Sequence, residues 1–361
     1  MSDSNAARGY PWPEASATGI GSLPGTDPAE AMRLIFGELP DLPHLAELPG
    51  RGPGAGLAGR AAALLVGLPV ETTATGWRFA SRPGRDLSRA RGLLAADLDA
   101  LEEAASGYRG PLKIQICGPW TLAATIELAR SQDPSLADPG AVADLTESLA
   151  EGVAAHIAEV HKRVPGAAVL LQLDEPSLPA VLAGQIPTAS GLNRLPAPAR
   201  AEAEDGLRSV ISAAPAFSVV HCCRARMPFG IIRGAGGNGA AFSLAALRRE
   251  DEEGLAEAVE AGLGIFAGVV APLGHAERAG AGEPPSPREA AGRVIELWRR
   301  MGWPGSGGAG ASAGPASIAG QVVLTPACGL AGASPGYARA ALARCREAAR
   351  LLPELIEEGR P

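Results

Sequence analysis

Short apolar runs alternate along the chain with longer segments of helical period, the pattern of repeated β/α units around a parallel sheet. Eight runs read as strands: Thr18 to Leu23, Leu45 to Leu48, Leu112 to Cys117, Ala168 to Leu173, Phe217 to His221, Ala241 to Leu244, Gly264 to Val269 and Gln321 to Leu324. Between them, Val142, Leu145, Leu149, Val153, Ile157 and Val160 recur at steps of three and four, which places one apolar stripe on a helix that coats the sheet. Asp27 ahead of Pro28 supplies an N-cap followed by proline at the first helical position, so Asp27 to Gly37 reads as the first outer helix. Trp77, Arg78 and Phe79, lying before a charged helix, predict a small hairpin inserted between Leu68 and Leu93.

Eight strands in parallel alternation, with no dinucleotide glycine fingerprint after the first, predict an α/β protein with a closed (β/α)8 TIM barrel rather than an open doubly wound sheet. The expected organisation is a flexible N-terminal segment over residues 1–17 and a single catalytic domain over 18–361. Two stretches rich in Gly, Ala, Pro and Ser, near 279–287 and 304–319, cannot bury a core and are expected to be flexible loops.

Hydrophobic residues make up 46% of the 361 positions and charged residues 20%, which excludes global disorder and suits a sizeable core. A formal charge of −7, with the arginines scattered among acids, argues against nucleic-acid binding, because phosphate contacts need clustered cations. The polar, proline-containing start fits neither a signal peptide nor a membrane anchor, so a cytoplasmic location and no membrane partner are expected. Five cysteines form no even disulfide framework, and in a reducing compartment they turn attention to thiol or metal chemistry.

In a barrel of this kind active-site residues come from the carboxyl ends of several strands. Those ends carry Ile20-Gly21-Ser22-Leu23-Pro24, Cys117-Gly118-Pro119, Asp174-Glu175-Pro176, His221-Cys222-Cys223 and Thr325-Pro326-Ala327-Cys328-Gly329. His221 and Cys223 are two apart just past a strand, so in extended geometry both side chains point the same way and can share one ion. Cys328 can supply a third ligand across the barrel mouth. One histidine and two thiolates form a soft set that suits zinc, and three protein ligands leave a fourth position for substrate. A substrate thiol placed there loses its proton at neutral pH and becomes a nucleophile. Buried cysteines are commonly packing residues and an isolated H-x-C is often coincidental; placement at a strand end together with the other motifs shifts the balance toward the metal.

These strand-end motifs resemble those of the cobalamin-independent methionine synthases and their short barrel-only relatives, within the wider uroporphyrinogen decarboxylase-like superfamily. The resemblance runs from about Thr18 to the C-terminus and covers the catalytic half of the long enzymes. It implies that His221, Cys223 and Cys328 bind zinc. It implies further that Ser22, its neighbouring backbone and Asp174 hold the carboxylate and ammonium of homocysteine, with Glu47 a second ammonium contact or a solvated loop acid. The implied reaction is methyl transfer to the homocysteine thiol to give methionine, with methyltetrahydrofolate or methylcobalamin as donor. In the second case a corrinoid protein would be the partner, and the acceptor could be another thiol.

Two positions depart from the family pattern. Ala245 stands where an acidic zinc ligand is usual, which leaves a three-ligand site, a substitute from Glu250, Asp251 and Glu252, or a weakened site. Gly268-Val269-Val270-Ala271-Pro272 lacks the histidine thought to assist folate departure. A different class of reading follows from Ala245: a barrel that binds zinc or ligand but has lost catalysis. Of the remaining candidates, Cys222 and Cys345 read as packing residues, Cys117 as pocket or packing, and Trp120 as a ligand platform or a core aromatic. His156 and His161 are expected on a helix surface; His44 and His275 have no assigned partner.

Overall fold

A computed structural model of the chain describes residues 9–214, 216–272, 283–302 and 320–358. His275, the stretch 304–319 and residues 279–282 lie outside the described residues. The centre is a six-stranded, all-parallel sheet in the order β3 (Gly110–Cys117), β5 (Ala167–Asp174), β6 (Phe217–Cys222), β7 (Gly239–Ser243), β8 (Gly264–Val270) and β9 (Val322–Pro326). A small second sheet joins the hairpin β1 (Val70–Thr72) and β2 (Trp77–Phe79) to the two-residue β4 (Ile126–Glu127). The inserted hairpin therefore lies where Trp77 and Phe79 predict it.

The ladder does not close. Between β9 and β3, where the apolar runs from Thr18 and Leu45 predict two strands, there are only isolated parallel bridges: Ala17 with Leu324, Ser22 with Glu47, and His44 with Lys113. Pairs of backbone hydrogen bonds still link these segments in turn, as in Leu23 N to Glu47 O (2.9 Å) and Leu45 N to Lys113 O (2.9 Å). The result is a TIM-like arrangement of curled parallel strands and outer helices with an irregular seam. Proline and glycine around both segments, Pro24, Gly25, Pro43 and Pro49 among them, keep the extended runs short.

The outer helices form as their periodicity demands. Asp27 caps the helix Pro28–Glu38 by accepting from Ala29 N and Glu30 N. The helix Pro139–Arg163 buries Leu145, Leu149, Val153, Ile157 and Val160. No helix among the described residues is long and apolar enough to cross a membrane. From Tyr10 onward the N-terminal segment, expected to be flexible, packs instead beneath the sheet. Trp12 is 1% exposed, donates from Nε1 to Gly320 O at 3.0 Å, and meets Phe217 and Phe266 edge-on. An indole offers a large apolar area, and here it seals the floor of the barrel.

His156 corrects the expectation of a surface histidine. It sits on the buried stripe of its helix at 4% exposure, and Nε2 finds no hydrogen-bond partner. Burial, reinforced by the nearby Arg60 cation, lowers its pKa from 6.5 to about 4. Because the unfolded chain takes up the proton first, stability falls as pH drops through 6.5 and the loss is complete near 4. We predict that the wild type loses on the order of 3 kcal/mol between pH 7 and pH 4 relative to His156→Leu. Urea unfolding at the two pH values checks this, and a pH-independent difference would show that the ring is solvated.

Candidate active site

Inside the curl of the sheet, side chains are layered by polarity. The floor is apolar: Trp12, Leu42, Leu170, Val219, Ala241, Phe266 and Val323 form one cluster. Two residues further along the same strands the character changes, because the pleat returns the same face every second residue. Lys113 and Gln115 on β3, Gln172 and Asp174 on β5, and His221 on β6 are all buried polar groups. The register sets Gln115 beside Gln172 and Asp174 beside His221, so this polar layer is continuous across three strands.

Buried polar groups must find partners, and these do so by gripping the two seam segments. Lys113 Nζ and Gln172 Nε2 both donate to Ile20 O at 2.9 Å. Gln115 Nε2 donates to Leu45 O (2.7 Å) and to Glu47 Oε1 (3.2 Å). At Gly21, with φ of +159°, a Cβ would collide with the Gln115 side chain, so close approach requires glycine there.

The six residues singled out from the sequence form a continuous circuit at the carboxyl ends. Ser22 bridges Glu47 through the backbone, and the Glu47 carboxyl is near enough to feel the charge of Asp174. Asp174 Oδ1 lies 2.7 Å from His221 Nδ1 and also accepts from Gln172 Nε2 at 2.7 Å. His221 stands beside Cys223, whose Sγ is 3.2 Å from Cys328 Sγ. Gly329 closes the circuit, packed so tightly on Ser22 that a Cβ would run into the serine hydroxyl.

Electrostatics differ around this circuit. Glu47 is buried rather than solvated; desolvation pushes its pKa up to about 7 against the pull of Arg60, whose Nε is 3.5 Å from Oε1. Lys113 is brought down to about 8 by burial, with Asp174 and Glu47 opposing. The Cys328 thiol donates to Cys223 and holds it toward the thiolate, down to about 6, with His221 assisting; the same contact and burial push Cys328 up. Cys117, Cys222 and Cys345 are fully buried, and burial raises the pKa of each.

Cys117-Gly118-Pro119 and the Glu175-Pro176 part of the next motif prove architectural. Glu175 accepts from Trp120 N (2.9 Å), Thr121 N (2.7 Å) and Thr121 Oγ1 (2.7 Å), capping the helix Pro119–Thr125. A Cβ on Gly118 would strike that carboxylate, so the Cys-Gly-Pro and Asp-Glu-Pro turns interlock. Trp120 is a core aromatic at 4% exposure, donating from Nε1 to Ala203 O.

The histidine and thiols can be tested for fit to zinc. His221 Nε2 is buried without a hydrogen-bond partner while Nδ1 is anchored on a carboxylate, the arrangement that leaves a lone pair for a metal. Two adjacent thiols complete a donor set of the right softness. Donor types and the orphaned nitrogen fit; no group of three or more His, Cys, Asp or Glu side chains is gathered as a metal cluster among the described residues. The acids near Ala245 are committed elsewhere. Asp251 caps its own helix by accepting from Arg248 N, Glu250 pairs with Arg248, and Glu252 pairs with Arg300.

Lys113, Gln115, Gln172 and Arg60 were not foreseen as part of this site. For Lys113, Gln115 and Gln172 the signal is the alternation Lys-Ile-Gln-Ile and Leu-Gln-Leu-Asp within otherwise apolar strands, which marks an interior face that is polar although buried; Arg60 comes from a helix and has no such signal.

No protein-family model and no curated protein sequence matches the chain. Among solved structures, the fold is similar to that of a B12-independent methionine synthase from Shewanella sp. W3-18-1 in complex with selenomethionine. The TM-score is 0.59 at 11% sequence identity, with 95% of this chain and 98% of that chain covered. At that identity the likeness establishes a shared architecture over nearly the full length of both chains.

Proposed function

We propose that the chain is a zinc-dependent S-methyltransferase that methylates homocysteine to methionine. The observation that carries this reading is the juxtaposition of the Cys223–Cys328 thiol pair and the orphaned His221 Nε2 with two buried carboxylates at one barrel mouth. The shared architecture with a methionine synthase solved with selenomethionine supports it, as does the family resemblance of the motifs.

In this reading His221, Cys223 and Cys328 hold the metal, which supplies acidification of the acceptor thiol. Asp174 fixes the ring of His221 through Oδ1 and leaves the buried Nε2 free of any competing hydrogen bond. Its Oδ2 accepts no hydrogen bond from the described residues and is available to an α-ammonium, as is the buried carboxylate of Glu47. Ser22, half-buried beside Gly329, offers a hydroxyl and backbone to the α-carboxylate. The polar layer beneath orients these groups. The neighbour's independence of B12 favours methyltetrahydrofolate as donor, and the comparisons lend no support to a corrinoid partner.

The test is elemental analysis of purified protein with and without homocysteine, followed by assays of methionine formation from methyltetrahydrofolate and from methylcobalamin. About one zinc per chain, as expected for a three-ligand catalytic site, with turnover from the folate donor, is the expected result. Zinc and homocysteine binding without turnover from either donor would identify a decayed barrel, and no zinc under any condition would sink the proposal.

A further inference from the structure

Lys113 is a lysine with no exposed surface, and its Nζ donates to a backbone carbonyl and an amide oxygen, Ile20 O at 2.9 Å and Gln115 Oε1 at 3.2 Å. Burying an ammonium among neutral acceptors is expensive, so its retention calls for a compensating field. Two carboxylates provide it. Asp174 and Glu47 both act on Lys113, one from the end of β5 and one from the seam segment.

The charged groups facing this region can be traced element by element. Glu47 and Asp174 are the acids, Lys113 rises from β3, and Arg60 enters from the helix Leu57–Leu64. His221 faces Asp174 from β6. Arg60 is shared with Asp97, which also binds Arg51 at 2.6 Å. Lys113, in contrast, makes no ion pair at contact distance with any described residue. Its charge is spent on the Ile20 carbonyl, two residues before Ser22, and on the field of the pocket.

We propose that Lys113 is a positioning residue that sets ligand specificity: its buried ammonium pins Ile20 under Ser22 and gives the pocket the positive charge needed to accept a zwitterion, not a bare amine. This rests on the reading that the mouth takes an amino-acid thiol or thioether. With Lys113 present, the three acids Glu47, Asp174 and Asp97 face the three cations Lys113, Arg60 and Arg51, and a ligand with one ammonium and one carboxylate leaves that balance unchanged. A neutral residue at 113 makes the pocket more negative by one charge. An α-carboxylate is then repelled, while a ligand carrying the ammonium alone is not.

The experiment is calorimetric titration of wild type, Lys113→Met and Lys113→Arg with two probes, methionine and 3-(methylthio)propylamine, which lacks only the carboxylate. The wild type should prefer methionine. In Lys113→Met the ratio of the two affinities should fall by about tenfold or more through weaker methionine binding, and Lys113→Arg should retain the preference. Lys113→Gln, a neutral donor able to seek the same carbonyl, replaces Lys113→Met if circular dichroism shows the latter unfolded. An equal loss for both probes would mark a merely structural lysine and overturn the inference, as would an unchanged ratio. Wild type that binds neither probe would overturn the amino-acid reading and the inference with it.

Discussion

Cys223→Ser is expected to purify without zinc, and Cys328→Ser likewise, while Cys345→Ala, altered at a fully buried site in the last helix, retains the metal of the wild type. A three-ligand site that loses one thiolate is left with two protein donors, too few for a catalytic zinc. Asp174→Asn gives an intermediate result. It leaves every proposed ligand in place and removes the charge that fixes His221 through its 2.7 Å contact, so zinc affinity should fall by roughly 10–100-fold. The order matters more than either value: both serine variants must lose more than Asp174→Asn. Metal analysis after dialysis against a graded chelator reads it directly, and full zinc occupancy in Cys328→Ser would remove that residue from the site.

The second large effect lies away from the mouth. Asp97, 1% exposed on the helix Arg85–Ala104, receives Arg51 on Oδ1 at 2.6 Å and Arg60 on Oδ2. Arg60 in turn reaches Glu47, so a buried chain of charges connects an outer helix to the pocket. Asp97→Asn keeps the volume and removes the charge, leaving two guanidinium groups without their shared partner. Breaking one side of a buried ion network costs about 3–5 kcal/mol, and that loss in urea-monitored stability is the expectation. A change below about 1 kcal/mol would mean that water screens the pair as it does a surface bridge.

Legibility from the sequence followed the range of the interactions. Strands β3 and β5 to β9 lie where their apolar runs place them, because a central strand buried on both faces has a strong local signature. Thr18 to Leu23 and Leu45 to Leu48 carry the same signature yet form only bridges, held by a few backbone hydrogen bonds and by donation from Lys113, Gln115 and Gln172, residues far along the chain. His221, Cys223 and Cys328 stood out because each sits in a short motif at a strand end; the structure brings the two thiols into contact and sets His221 on Asp174. Glu47 was ambiguous by itself, and its partner Arg60 is decided by a helix packing that no local pattern encodes. Glu175, part of a motif that looked chemical, is occupied in capping a helix.

The seam gives the mouth two halves of unequal stiffness. Asp174 and His221 end strands within a continuous ladder, whereas Ser22 and Glu47 ride on segments tethered by single bridges and by side chains from below. Amides in segments with so few ladder bonds open at lower free energy than those of a central strand. The barrel thus resembles a spring clip, rigid along one jaw and compliant along the other. An occupant that spans both jaws must order the compliant one, and that ordering opposes part of what its contacts to the rigid side contribute.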